Sequence, residues 1–531
     1  MNKNRILTSI GILMAGVLLS GCNDFLDVNP DNRTTIDSPE KVSSILVSAY
    51  PGKSYVMVTE IMSDNADEYT NNYSDRFLDE VYRWEDVTET SPNDSPTRLW
   101  RECYSAIANA NTALKGIEDF GGATTTELRE CKGEALIARA YAHFLLVNLF
   151  GMNYNSQTSS KDMGVPYMYD TDSRIGQVHD RETVAAVYEK MGKDIEEGLP
   201  LVGDSHLKVL KFHFNRKAAY AFATRYYLFH EEWAKAIECA NACLGNAPQT
   251  MLRDWKSYEN MQRDREAYSL KYTNAQNNCN LLLLAAASNA GLAFSNYRFY
   301  KKYTHGPYLD NNETFKAPNI WGSASYYDHG PFIYTVGSNV SYDIPWRIPY
   351  LFQETDVVAH TGYRTSIFPV ITADECLLNR AEAYIMLKQY DNAAADLTLW
   401  MQNILNTSQV LTPASIVSFY KPLAYSYDDA TKMASTIKKH LHPKFTIDAE
   451  GSTQECMLQC LLSFKRIETL HLGLRWFDIK RYGIEIIRRR INTSGVPEEK
   501  TDSLTTDDPR RAIQIPSEVH DGGLPLNPRT K

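Results

Sequence analysis

The sequence predicts a mainly α-helical fold of packed helical hairpins, interrupted by one long irregular region. Three observations predict it. Apolar and small residues recur at helical spacing over most of the chain, as in Leu136, Ala140, Phe144 and Val147. Residues 215–244 and 379–405 repeat one another. Between them, residues 294–350 carry no sustained period and are dense in aromatics, Gly, Pro, Asn and Ser.

The N-terminus is a leader. Lys3 and Arg5 form a short basic region, and Ile6 to Leu18 an apolar core. That core is too short to span a bilayer, which needs about 20 apolar residues, and has the layout of a secretory signal. Leu19-Ser20-Gly21-Cys22 has the form of a bacterial lipobox, in which cleavage precedes a lipidated cysteine. Residues 1–21 are thus read as signal peptide, 22–40 as a lipidated tether and 41–531 as one domain with an insertion at about 290–350. Acyl chains on Cys22 would anchor the chain at about 0.8 kcal/mol per buried CH₂. Asn23-Asp24-Phe25-Leu26-Asp27 resembles an export signal to the outer face of the outer membrane.

A net charge of −10 and a pI near 5.7 argue against nucleic acid, which requires basic patches. Beyond residue 22 the most apolar run, Leu281 to Ala287, is far too short to cross a membrane. Cys239/Cys243 and Cys456/Cys460 are spaced by four in helical segments and lack the C-x-x-C partner of a zinc site. With Cys103, Cys131, Cys279 and Cys376 they are expected to be buried free thiols.

Helices are expected over Leu99 to Phe120, over Thr126 to Phe150 with a stop at Gly151, and over Glu182 to Leu199. In the internal repeat, aligning Tyr227 with Tyr384 puts Trp233 on Tyr390 and Ala236 on Ala393. Each copy is a helix, a polar turn, an aromatic and a second helix opening on small residues. Small residues let two helices approach, and the aromatic fills the notch at the turn. The pattern resembles a tetratricopeptide unit, of which at least three are needed to bury their faces.

Phe294 to Tyr350 holds 15 aromatics in 57 residues, roughly 26 % against 11 % for the whole chain. Loops of that length are functional or disordered, and so many aromatics oppose disorder. The segment reads as a loop-rich insertion with short strands. Met457 to Arg490 reads as a further helix, and Ile513 to Arg529 as an extended strap followed by turns.

Catalytic and nucleotide motifs fail on inspection. Pro51-Gly52-Lys53-Ser54 lacks the first glycine of a phosphate loop, which would fall on Val47. Asp27, Asn29 and Asp31 begin like an EF-hand, but Asn32 replaces the turn glycine and Ser38 the closing glutamate. His230-Glu231 lacks the second histidine of a zinc protease, since Ala234 stands there. No G-x-S-x-G elbow occurs. Asp64, Asp67 and Glu68 have no second acidic cluster to complete a glycosidase pair. No cofactor, metal or catalytic residue is expected, and binding is the remaining activity.

Several segments, in order along nearly the whole chain, resemble the SusD/RagB family of nutrient-binding outer-membrane lipoproteins. They are Cys22 to Asp27, Lys132 to Tyr141 with Leu149 to Gly151, Gly164-Val165-Pro166, Asn215 to Leu244, Arg380 to Tyr384, Gly473 to Asp478, and Ile515-Pro516 with Asn527-Pro528. The chain departs from the pattern at Phe464 and Leu472, where the family often has glutamate, and at Asn-Pro-Arg529 in place of Asn-Pro-Gly. The resemblance implies about four tetratricopeptide-like hairpins packed against an irregular half. It further implies a TonB-dependent SusC-like transporter as partner and a glycan, or in some members a peptide, as cargo. Catalysis is not implied. A surface glycan-processing enzyme and a protein-binding adaptor without small ligand are the other readings.

The family places its ligand contacts in the irregular half. A sugar offers an apolar C–H face and a fringe of hydroxyls, which aromatic planes and polar side chains can match. The expected contacts are Trp321, Tyr326, Tyr327, Tyr297, Tyr300, Trp84 and Tyr73, with Asp67, Asn72 and Arg76 as polar companions. Trp321 leads because Gly322 and Ser323 after it suggest an exposed turn. Arg475, Trp476 and Asp478 read as scaffold.

Overall fold

A computed structural model of the chain describes residues 36, 38–69, 75–170, 179–262, 264–295, 302–328, 333–336 and 340–529. Cys22, the leader and most of the tether lie outside these residues. The principal helices, in chain order, are α1 (Pro39–Leu46), α2 (Val56–Met62), α3 (Arg76–Tyr82), α4 (Pro96–Asp119), α5 (Thr126–Phe150), α6 (Val184–Gly198), α7 (Arg216–Phe229), α8 (Trp233–Leu244), α9 (Pro307–Glu313), α10 (Ala373–Met386), α11 (Tyr390–Ile404), α12 (Pro413–Tyr420), α13 (Thr453–Thr469) and α14 (Arg475–Arg481). The fold is mainly helical with small sheets, as the sequence predicts. Among the described residues no helix is long and apolar enough to cross a membrane.

Side-chain caps start the main helices. Ser95 caps α4, Thr125 caps α5 and Thr372 caps α10, each accepting from a backbone N–H in the first turn. Such a cap contributes about 1 kcal/mol. α5 is buried on nearly every side from Gly133 to Phe150, wedged between α4, α6 and α7.

The internal repeat is a structural repeat. In the α7–α8 hairpin, Glu231 has φ 64°, and in α10–α11 its counterpart Lys388 has φ 58°. The Glu232 N–H donates to the Tyr227 carbonyl at 2.9 Å, and the Gln389 N–H to the Tyr384 carbonyl at 2.8 Å. A second device recurs between helices. Arg380 of α10 grips both oxygens of Asp396 on α11 at 2.8 and 2.7 Å and reaches Asn241 of α8 at 2.8 Å. Arg139 of α5 does the same with Asp194 of α6, at 2.8 and 2.7 Å, and with Asn111 of α4 at 2.8 Å. One arginine per clamp thus fixes a helix against its hairpin partner and an earlier helix, with a bidentate geometry lysine cannot supply.

The irregular half carries the sheets. β1 (Asp67–Tyr69) lies between β3 (Tyr303–Thr304), antiparallel, and β8 (Ile486–Ile491), parallel; β8 pairs in turn with β9 (Pro497–Leu504). A second sheet has the order β2 (Asn280–Ala286), β7 (Thr361–Thr372), β6 (Leu351–Asp356), all antiparallel. A hairpin of β4 (Ile333–Val336) and β5 (Val340–Asp343) stands in the insertion.

The helix expected over Met457 to Arg490 is corrected. α13 ends at Thr469, α14 is short, and Ile486 onward is strand. The breaks fall at Gly473 and Gly483, with φ of 75° and 59°. A Cβ at Gly473 would lie 2.4 Å from Thr59 Oγ1, and one at Gly483 2.3 Å from the His442 carbonyl oxygen, so only glycine fits either turn. The eight described cysteines are buried and free, and burial pushes the Cys279 thiol up to about 12.

Candidate functional site

A network of buried charges underlies the sheet of the irregular half. Glu313 at the end of α9 accepts from Lys439 Nζ at 2.6 Å, Arg466 Nη1 at 2.5 Å and Arg489 Nη2 at 2.9 Å. Arg475 holds both oxygens of Asp64 at 2.8 Å. Burial alone would raise both carboxyls; the surrounding cations outweigh it and hold them well below the usual carboxylate range. The network joins the α2–β1 connection, α9, α13, α14 and β8 into one layer. Arg475 and Asp478 are accordingly buried scaffold, as expected.

Two expected ligand contacts belong to this layer. Asp67 is 3 % exposed and accepts from Arg489 Nε at 2.9 Å; burial raises its carboxyl despite that partner. Trp84 is 2 % exposed, donates its indole N–H to the Met62 carbonyl at 2.8 Å and lies under Arg488, 4.2 Å from the ring centroid. Both are corrected to structural positions, because their polar atoms and faces are already engaged inside the protein.

Trp321 is corrected as well. The turn after it is exposed, with Gly322 at φ 62°. The indole itself turns inward and is 6 % exposed. It packs on Phe464, centroids 5.5 Å apart, and Phe464 stacks on Trp400 at 4.6 Å. The departure at Phe464 is thereby explained: where a glutamate would be stranded, an aromatic ring links the insertion to α11 and α13. Tyr326 and Tyr327 are half-buried. The Tyr327 N–H donates to the Ile404 carbonyl at 3.1 Å, so their segment is tied to the end of α11.

The remaining expected contacts adjoin, along the chain, the β1–β3 edge of the first sheet. Asn72, Tyr73, Tyr297 and Tyr300 lie outside the described residues. The described ends that flank them are neighbours: the Tyr69 N–H donates to the Lys302 carbonyl at 2.7 Å. α3 packs beside this edge. Asp79 accepts from Lys302 Nζ at 2.9 Å and from the Tyr303 hydroxyl, and Tyr303 stacks on Tyr82 with centroids 4.0 Å apart. Arg76 stands exposed on the first turn of α3, paired with Glu80 at 2.8 Å. Lys302, Tyr303 and Asp79, which shape this rim, were not singled out by the sequence reading. The basic-aromatic run Lys301-Lys302-Tyr303 was the available signal. Among the described residues, no group of three or more His, Cys, Asp or Glu could hold a metal ion.

Residues 24–228 match the family described as SusD-like, starch-binding and associating with the outer membrane. Solved structures share the fold. A SusD superfamily protein from Bacteroides thetaiotaomicron is 19 % identical, with 93 % of this chain and 100 % of that one covered and a TM-score of 0.59. A SusD-like carbohydrate-binding protein from Bacteroides vulgatus is 15 % identical over 91 % and 96 % of the two chains, with a TM-score of 0.59. A laminarin-binding SusD-like protein is 15 % identical over 94 % and 99 %, with a TM-score of 0.52. No curated protein sequence matches the chain. The N-terminal part of the chain is thus similar to the SusD-like family, and the fold along its length is shared with these solved structures.

Proposed function

We propose that the protein is a surface lipoprotein, anchored through Cys22 on the outer face of the outer membrane. It binds an oligosaccharide without transforming it and passes it to a TonB-dependent SusC-like transporter. The family described as starch-binding and outer-membrane-associating supports the class of ligand and the compartment. The observation that carries the site is the hydrogen bond between Tyr69 and Lys302. It sets side by side the two points from which the chain enters the segments bearing Asn72, Tyr73, Tyr297 and Tyr300. Arg76 on the same rim and half-buried Tyr327 complete the candidate set. Trp321, Trp84 and Asp67 are buried and stand outside this set.

Calorimetric titration of the protein lacking residues 1–22 tests this, using a panel of oligosaccharides and peptide mixtures. Saturable binding of one glycan class, weakened at least tenfold in Tyr297→Ala or Tyr73→Ala, is the expected result. Binding that survives both substitutions would move the site away from the rim. Saturation by peptides alone would assign the peptide cargo instead. Release of shortened sugars during incubation would establish an enzyme.

A further inference from the structure

The chain after α5 and the C-terminal strap close over a cavity of about 350 Å³. Its size is at the small end of ligand pockets, about 300–1,000 Å³, and suits one monosaccharide-sized molecule. Its walls combine Asn153, Asn155 and Thr506 with apolar Met152, Met163 and Ala512.

One buried cation lines the cavity with a donor to spare. Lys480 is 3 % exposed, and its ammonium donates to the Asn148 and Gly151 carbonyls at 2.6 and 2.7 Å, closing the end of α5. It has no carboxylate partner among the described residues, and an ammonium has three donors. The neighbouring Arg481 is compensated, with Glu382 at 2.8 Å from Nη2 and Asp478 at 3.9 Å from Nη1. A further buried cation nearby, Arg511, is satisfied only by the carbonyls of Thr505, Ile479 and Ile484. Burial lowers Lys480 to about 7, with Arg511 adding to the effect. The acids of the lining are already engaged: Asp507 pairs with Lys444 at 2.6 Å, and Asp162 accepts from the Thr158 hydroxyl at 2.5 Å.

An uncompensated buried charge is costly, and a bound counter-charge removes that cost. The remaining ammonium donor matches one oxygen of a carboxylate. We propose that this cavity binds a small carboxylate, such as a uronic acid or a short organic acid, with Lys480 as its cationic donor. The site is independent of the glycan rim, and either can fail without the other.

The test is calorimetry and thermal shift on the full mature chain with sodium glucuronate, sodium acetate, glucose and inorganic phosphate. Glucuronate should bind saturably, with glucose at least tenfold weaker. Lys480→Met and Ala512→Leu should each weaken glucuronate at least tenfold. Since Lys480→Met also uncaps α5 and can unfold the chain, Asn153→Trp, which fills the half-buried wall, provides a second obstruction. Tyr297→Ala should leave glucuronate binding unchanged. Absence of saturable binding by either carboxylate would overturn the proposal. So would equal binding of glucose or phosphate, or binding that survives every cavity substitution.

Discussion

The two halves of the molecule solve the same packing problem differently. The repeat half reuses one solution. The Arg380–Asp396–Asn241 clamp recurs as Arg139–Asp194–Asn111 within 0.1 Å, and the α7–α8 turn recurs in α10–α11. The irregular half uses each contact once. Seven charged groups around Glu313 and Asp64 (Asp64, Asp67, Glu313, Lys439, Arg466, Arg475 and Arg489) hold its layer together, and aromatics fill what no helix face can. Regular packing can rely on small residues at a fixed period. Where the backbone is irregular, large rings must fill gaps of differing shape, so an aromatic-rich segment is evidence of a core before it is evidence of a ligand.

The largest effect should come from breaking the single-use network. Glu313→Ala leaves Lys439, Arg466 and Arg489 facing one another in the interior. Stranding buried charges costs about 3–5 kcal/mol, and urea unfolding should show a loss of that order. Arg380→Ala strands only Asp396, with Asn241 beside it, and should cost less. A greater loss for Arg380→Ala would mean that the clamps, rather than the network, dominate stability.

Trp321→Ala sharpens the same contrast. As a buried ring between Tyr326 and Phe464, it should cost about 3–5 kcal/mol of stability, the range for large-to-small aromatic truncations. Cargo affinity at the rim should be nearly unchanged in the folded fraction. A tenfold loss of affinity with unchanged unfolding would return Trp321 to the ligand surface.

Legibility in the sequence followed the same division. The repeat was readable because Tyr227, Trp233 and Ala236 have counterparts at one constant offset, and the turn geometry obeyed that offset. The Arg–Asp clamps were not read, since their partners lie on different helices at unequal separations. Trp321 was misplaced because Gly322 and Ser323 predict a turn but not which way the preceding ring faces. Asp67 and Trp84 were misplaced because their partners, Arg489 and Arg488, lie more than 400 residues away in the chain. The strand over Ile486–Ile491 was hidden by helix-forming arginines, and only the glycine turns at 473 and 483 forced the chain out of helix.

A pH-dependent difference, smaller at each pH unit, concerns Asp328. It is fully buried, accepts from the Tyr268 hydroxyl, and leaves Oδ1 without a hydrogen-bond partner among the described residues. Burial raises its carboxyl to about 9. The folded protein therefore keeps a proton that the unfolded chain releases near 4. The stability this group contributes is complete below about 4 and is lost as pH rises towards 9, by up to about 1.4 kcal/mol per pH unit. Asp328→Asn has no such titration. Urea midpoints at pH 5, 7 and 9 should show wild type losing ground to the variant at each step. Parallel profiles would mean that the carboxyl is ionised in the fold and paired elsewhere.

The smallest expected effect tests whether the repeated turns are equivalent. Glu231 and Lys388 both occupy the left-handed region, which is unfavourable to any residue with a Cβ and open to glycine. Glycine also gains more freedom in the unfolded chain, so the net benefit of Lys388→Gly should be no more than about 1 kcal/mol. The surface pair between Lys388 and Asp448 at 2.8 Å is lost at the same time, an offset of about 0–1 kcal/mol. Glu231→Gly removes a half-buried carboxylate whose burial already raises its pKa, so its benefit should equal or exceed that of Lys388→Gly. Thermal unfolding of the two variants should shift in the same direction. Opposite shifts would show that the hairpins share a backbone but not the forces that hold it, and that even the periodic half repeats its geometry more faithfully than its energetics.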